Sequence, residues 1–286
     1  MKKREDIRIR DPFILADKKT QTYYMYGTTD LEKDSYASYP RFSVYVSKDL
    51  ETFDGPFVVF DGKCEGFWAT YDYWAAEVWQ YDEKYYLFGS FKAKDRCRAT
   101  HILESDHPLG PFKPCSQVPQ TPEMWECLDG TLWIENGIPY MVFCREWLQC
   151  EDGEMYAVAL SQDLKNTIGE PFLLFKASNN PYVSTFVGGN FQHCRVTDGP
   201  FLFREKGKLK MIWSSHSGNK YSVLEATADH LRGPWKHFKP RFDFDGGHAM
   251  IFEGFDGKKY FSLHQPNLPP FERAVFVPYN EDEKCK

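Results

Sequence analysis

The sequence predicts an all-β fold, a five-bladed β-propeller, and three observations carry that prediction. The chain repeats itself, each repeat holds short β-rich runs separated by turn residues, and no stretch has the length and period of a helix that could compete. A Ser-Lys-Asp-Leu turn followed by Gly-Pro-Phe at residues 47–57 returns in varied form at residues 105–112, 161–172 and 227–235. Its prolines, Pro56, Pro111, Pro171 and Pro234, are 55, 60 and 63 residues apart.

A second element keeps step with the first. The runs 23–26, 85–88, 140–143, 210–213 and 260–263 each follow a turn rich in Asp, Gly, Lys or Asn, as the second strand of a hairpin does. Upstream of each lies a first strand, at residues 11–15, 76–79, 129–134, 198–203 and 248–252. Five such units match blades of four strands around a central channel. A β-sandwich gives no reason for a fivefold recurrence. The last unit is short, leaving its outer strand either to residues 8–10 or absent. No linker or break in composition divides the chain, so residues 1–286 form a single domain. The longest insertions, 115–126 and 177–195, are expected to shape a binding site on the rigid scaffold.

Composition narrows the classes of function. Aromatic residues make up 17% and charged residues 27%, which suits strands and surfaces that stack on sugar rings. A net charge of −6 with no basic run excludes nucleic acid as the main partner. The charged N-terminus is followed by no apolar stretch, so neither a signal peptide nor a membrane span is expected, and the predicted location is cytoplasmic unless a leader has been removed. Eight cysteines, Cys64, Cys97, Cys115, Cys127, Cys144, Cys150, Cys194 and Cys285, lack zinc or redox spacing and are expected as free thiols, with a Cys144–Cys150 disulfide left open.

The first strands open on Asp11, Glu77, Asp129, Asp198 and His248, at spacings of 66, 52, 69 and 50 residues. Residues at the start of the innermost strands face one axis or its mouth, where a carboxylate is costly unless paired, hydrated or metal-bound. Carboxylates converging on an aromatic-rimmed pocket are what glycoside hydrolysis needs: an acid over the leaving oxygen, a base for water, and a neighbour that keeps the acid protonated. Arg145, Glu146, Trp147 and His216 lie just beyond second strands, and Trp74 and Phe191 offer stacking faces. Gln192 and His193 belong to a loop able to narrow the cleft.

The motifs resemble glycoside hydrolase family 43, inverting arabinofuranosidases, xylosidases and arabinanases built on a five-bladed propeller. Arg10-Asp11-Pro12-Phe13-Ile14 is similar to the family's opening motif, which implies that Asp11 is the general base. Trp74-Ala75-Ala76-Glu77-Val78 resembles its Trp-Ala-Pro-Asp/Glu element, with Ala76 where Pro is usual, and implies substrate contacts for Trp74 and Glu77. Asp129 matches the Asp that tunes and orients the acid. Asp198-Gly199-Pro200-Phe201 resembles a Glu-Gly-Pro element and implies that Asp198 is the acid, one methylene shorter than the family's Glu, with Glu77 as the alternative acid. The resemblance also implies a sugar-binding role for Arg273 and a His248 that in some members helps hold a metal ion in the channel, calcium by preference, although no cofactor is required.

The expected activity is therefore inverting release of terminal α-L-arabinofuranose or β-D-xylose from plant-derived oligosaccharides, with no nucleic acid or membrane as partner. The rival expectation is a carbohydrate-binding propeller that has lost its acid.

Overall fold

In a computed structural model describing residues 1–280 except 33, 36, 64 and 65, five antiparallel sheets carry the chain in order around a central channel. Blade one consists of Arg10–Asp17, Thr22–Thr28, Arg41–Ser47 and Thr52–Asp61. Blade two consists of Tyr71–Tyr81, Lys84–Ala93, Arg96–Ser105 and the short Lys113–Pro114. Blade three runs through Cys127–Glu135, Ile138–Arg145, Glu154–Leu160 and Thr167–Lys176. Blade four follows with Asp198–Glu205, Lys208–Ser217, Lys220–Ala228 and Lys236–His237. Blade five has three strands, Gly247–Glu253, Lys259–Gln265 and Arg273–Pro278. The loop between blades three and four carries a small hairpin, Phe186–Gly188 and Phe191–Cys194.

The core is the set of apolar layers between neighbouring blades. Strands alternate the faces of their side chains, so both faces of an inner blade can be apolar when another blade covers each. Phe13, Ile14, Ala249 and Met250 belong to one buried cluster, Tyr24, Phe42 and Val78 to a second, and Leu128, Leu202 and Trp213 to a third. Phe88, Leu132 and Phe143 belong to a fourth. The abundance of aromatics is used here, with Phe42, Phe60, Phe67, Tyr73 and Phe91 packed as tilted and edge-on rings.

The ring closes where the two ends of the chain meet. Arg8 forms a single antiparallel bridge with Arg273 at the outer edge of blade five, and Arg10 belongs to the inner strand of blade one. Among the described residues blade five therefore has no fourth strand. Lys2–Lys3 instead pair with residues 52–53 on the outer edge of blade one. Arg8 and Arg10 both reach the fully buried Glu272, at 3.1 and 3.5 Å. One buried carboxylate is thus paired with two guanidinium groups at the seam, so its own charge is not left unpaired.

The described cysteines are all free, with Cys64 and Cys285 outside the described residues. Cys144 Sγ lies 3.8 Å from Met155 Sδ, and Cys150 Sγ lies 3.1 Å from the Glu146 carbonyl, so the two do not pair.

Candidate active site

Each inner strand carries a β-bulge near its start. Register slips between Arg10 and Phe13, Trp74 and Glu77, Leu128 and Thr131, Asp198 and Phe201, and Gly247 and Met250. The first bulged residue is left-handed in all five blades: Asp11 at φ 54°, Ala75 at 50°, Asp129 at 55°, Gly199 at 50° and His248 at 53°. A bulge of this kind re-aims a side chain, here toward the axis. Asp and His tolerate the conformation better than most residues.

This register corrects the expected fivefold equivalence. Asp11, Asp129 and His248 do share one position, but blades two and four place Ala75 and Gly199 there. Asp198 sits one residue earlier, level with Arg10, Trp74, Leu128 and Gly247. Glu77 sits two residues later, level with Thr131, and its Oε2 accepts bonds from Thr131 Oγ1 at 2.7 Å and Trp79 Nε1 at 2.9 Å. Burial pushes the Glu77 carboxyl up to about 7, but it is not part of the cavity wall.

That wall encloses about 390 Å³, a size suited to a small ligand. Asp11, Trp74, Asp129, Asp198, His216 and His248 line it as expected from the sequence, while Arg145 and Arg273 do not. Arg145 is held by Glu154 and Gln149 and lies over Trp125. Arg273 donates to the carbonyls of Glu5, Pro270 and Glu272 and thereby serves the seam. In the inserted hairpin Phe186, not Phe191, packs on the lining residues Trp147 and His216.

Asp11, Asp129 and His248 form one cluster. His248 Nδ1 lies 3.2 Å from Asp11 Oδ1 and 3.7 Å from Asp129 Oδ2. Burial alone would lower the His248 pKa, but the two carboxylates push it up to about 10, so the ring is an imidazolium. Burial would likewise raise the Asp11 pKa. The charge and hydrogen bond of His248, with Arg10 nearby, instead hold Asp11 well below the usual carboxylate range. Thr28 Oγ1 donates to Asp11 Oδ2 at 2.6 Å. The Asp11 N–H donates to His264 Nδ1 at 3.2 Å, so that ring is neutral and its approach to Asp11 is not an ion pair.

Asp129 and Asp198 take the opposite direction. Burial raises the Asp129 pKa, with part of the rise offset by His248. Burial and then the Asp129 charge push Asp198 up to about 8, since two carboxyls in one dry site do not ionise together. The shift favours the proton on Asp198 at neutral pH. The site thus holds an ionised carboxylate at Asp11 and a protonated one at Asp198.

Three residues not expected from the sequence also line the wall. Arg98 lies 3.9 Å from the Trp74 ring and is clamped by Asp72 and Glu146. Asn267 Oδ1 accepts bonds from Arg10 Nη1 at 2.7 Å and His264 Nε2 at 3.3 Å, which assigns its NH2 as the remaining donor. Tyr221 donates to Asp198 Oδ2 at 3.0 Å. Asn267 comes from a loop, and Arg98 and Tyr221 from third strands, so no first-strand motif announces them.

His248 Nδ1 is engaged by Asp11, and among the described residues no group of three or more His, Cys, Asp or Glu side chains is arranged to hold a metal ion. No helix among them is long and apolar enough to cross a membrane.

No curated protein matches the chain. An endo-arabinase from Bacteroides thetaiotaomicron superposes with a TM-score of 0.89 at 41% identity, covering 97% of this chain and 96% of that one. A thermostable family-43 glycoside hydrolase superposes at 0.76 with 25% identity over 96% and 90% of the two chains. An α-L-arabinofuranosidase from Lactobacillus brevis, at 15% identity and a TM-score of 0.76 over 98% and 94%, shares the fold. The family model for glycosyl hydrolases family 43 matches residues 6–277, and with it the chain belongs to that family of inverting glycoside hydrolases.

Proposed function

We propose that this enzyme releases terminal pentose, α-L-arabinofuranose or β-D-xylose, from plant-derived oligosaccharides, with Asp11 as base and Asp198 as acid. One observation carries the assignment of roles: burial, His248 and Asp129 drive the two carboxyls in opposite directions, leaving one ionised and one protonated at neutral pH. Asp11 takes a proton from water on one face of the sugar while Asp198 donates to the leaving oxygen on the other, and the anomeric centre inverts. Asp129 keeps Asp198 protonated. Trp74 and Trp147 offer stacking faces, and Arg10, Asn267 and His216 offer polar contacts to hydroxyls. No cofactor takes part.

The shortness of Asp198, which favours a binding-only reading, is met by a buried, protonated carboxyl with a hydroxyl partner. A second reading, internal cleavage of arabinan, is favoured by the 41% identity to a chain described as an endo-arabinase.

Digestion of arabinan, xylan and their oligosaccharides, with products sized by chromatography and anomers followed by proton NMR, tests all of this. Monomer released from the start supports terminal action, a ladder of oligomers supports internal cleavage, and retained configuration sinks the mechanism. Asp11→Asn and Asp198→Asn are each expected to lower turnover by at least ~10³-fold while binding survives. EDTA should leave the wild-type rate unchanged.

A further inference from the structure

Tyr221 stands out because it occupies a place that belongs to another blade. The residue just ahead of the bulge is Arg10, Trp74, Leu128 and Asp198 in blades one to four, and each of these side chains lines the cavity. In blade five that residue is Gly247. A Cβ there would meet Tyr221 Cε1 at 2.5 Å and Cδ1 at 2.7 Å. Gly247 has no left-handed φ to explain it, so the requirement is for space. Tyr221, from the third strand of blade four, fills the gap.

The ring is fixed on several sides. It stacks on His264 at 5.7 Å with an interplanar angle of 18°, and meets His216 edge-on at 5.7 Å. Its backbone N–H donates to Asp245 Oδ1 at 2.9 Å. The hydroxyl then reaches Asp198 Oδ2 at 3.0 Å. Resting on the assignment of Asp198 as the acid, we propose that Tyr221, admitted by the missing side chain of Gly247, is the positioning residue that compensates for the shorter acid. By donating to Oδ2 it fixes the carboxyl plane and leaves Oδ1 to carry the proton toward the leaving oxygen. A tethered aspartic acid presents its proton in one orientation, as a longer free-swinging side chain would not.

The groups bearing on Asp198 are Asp129 and Glu146, which raise its pKa, and His248 and the Tyr221 hydroxyl, which lower it. Loss of the hydroxyl therefore moves the acid upward. Its removal also has a signature that depends on the leaving group, because a dinitrophenolate departs without protonation and an alcohol does not.

The test compares Tyr221→Phe, Gly247→Ala and Asp198→Ala on an oligosaccharide and on the dinitrophenyl pentoside that the wild type turns over. For Tyr221→Phe the expected result is a fall in kcat of about 10- to 100-fold on the oligosaccharide with KM little changed, and under ~3-fold on the activated glycoside. The alkaline limb of its pH–rate profile should move to higher pH. Gly247→Ala, which displaces the ring, should reproduce the same split. Asp198→Ala should lose the oligosaccharide rate and retain most of the activated one. Equal losses on both substrates for Tyr221→Phe, or no loss, overturn the positioning role while a split in Asp198→Ala leaves the acid in place. No split in Asp198→Ala overturns the acid assignment itself.

Discussion

Four of the five blade junctions are built alike and one is not. At the like junctions the N–H of the bulge is satisfied by a side chain from the second strand of the preceding blade. Ala75 N donates to Thr28 Oγ1 at 2.8 Å, Asp129 N to Ser90 Oγ at 2.8 Å, His248 N to Ser214 Oγ at 2.7 Å, and Asp11 N to His264 Nδ1 at 3.2 Å. At the junction from blade three to blade four the corresponding second-strand residue is Cys144, whose thiol is a weak partner and packs on Met155. Gly199 N donates to Asp129 Oδ2 instead, at 2.9 Å. A side chain at residue 199 would strike the His248 ring at 2.7 Å. The irregular junction therefore turns the Asp129 carboxylate toward the blade that carries Asp198, and the regular four hold the scaffold.

Breaking the irregular junction should cost activity, and breaking a regular one should cost stability. Asp129→Asn has the largest expected effect among the junction variants. Without the charge that helps raise Asp198, the acid loses its proton at lower pH, so the alkaline limb of kcat/KM, expected near pH 8 in the wild type, moves down and the rate at neutral pH falls by ~10²-fold or more. A pH–rate profile checks both sign and size.

Cys144→Ser sharpens the contrast by making the odd junction like the others. Its hydroxyl competes for the Gly199 N–H and frees the Asp129 carboxylate to turn, with an expected ~10-fold loss in kcat and a change in urea stability within about 1 kcal/mol. An unchanged kcat would show that Gly199 does not orient Asp129. Ser214→Ala has the smallest expected effect on turnover, under ~3-fold, and strands the His248 N–H at a cost of about 1–3 kcal/mol in denaturant unfolding.

The fold was legible because its signal is periodic: five hairpins in phase survive any single misread turn. Asp11, Asp129 and His248 were legible for the same reason, as they share one bulge position. Glu77 was misplaced because a bulge shifts the count of residues without changing their types. Spacing alone cannot say whether a carboxylate belongs to the bulge or to the layer two residues beyond it. Arg145 was judged by nearness in sequence to a strand end and Arg273 by resemblance to the family, yet each finds carboxylate or carbonyl partners away from the cavity. Tyr221 has no local mark at all. Its reach depends on a glycine 26 residues downstream in another blade, and such a reach becomes visible only when the missing side chain is compared with the four that are present.

The seam carries a consequence for synthesis. Asp11 leaves the ribosome well before its partners, since the imidazolium that keeps it ionised is His248 and the ring that receives its N–H is His264. Until blade five has been made and has docked, Asp11 lacks its compensating cation. A nascent chain with four complete blades thus lacks the cation that serves both the base Asp11 and the tuning carboxylate Asp129. Ring closure is in this sense the first step at which the enzyme can turn over.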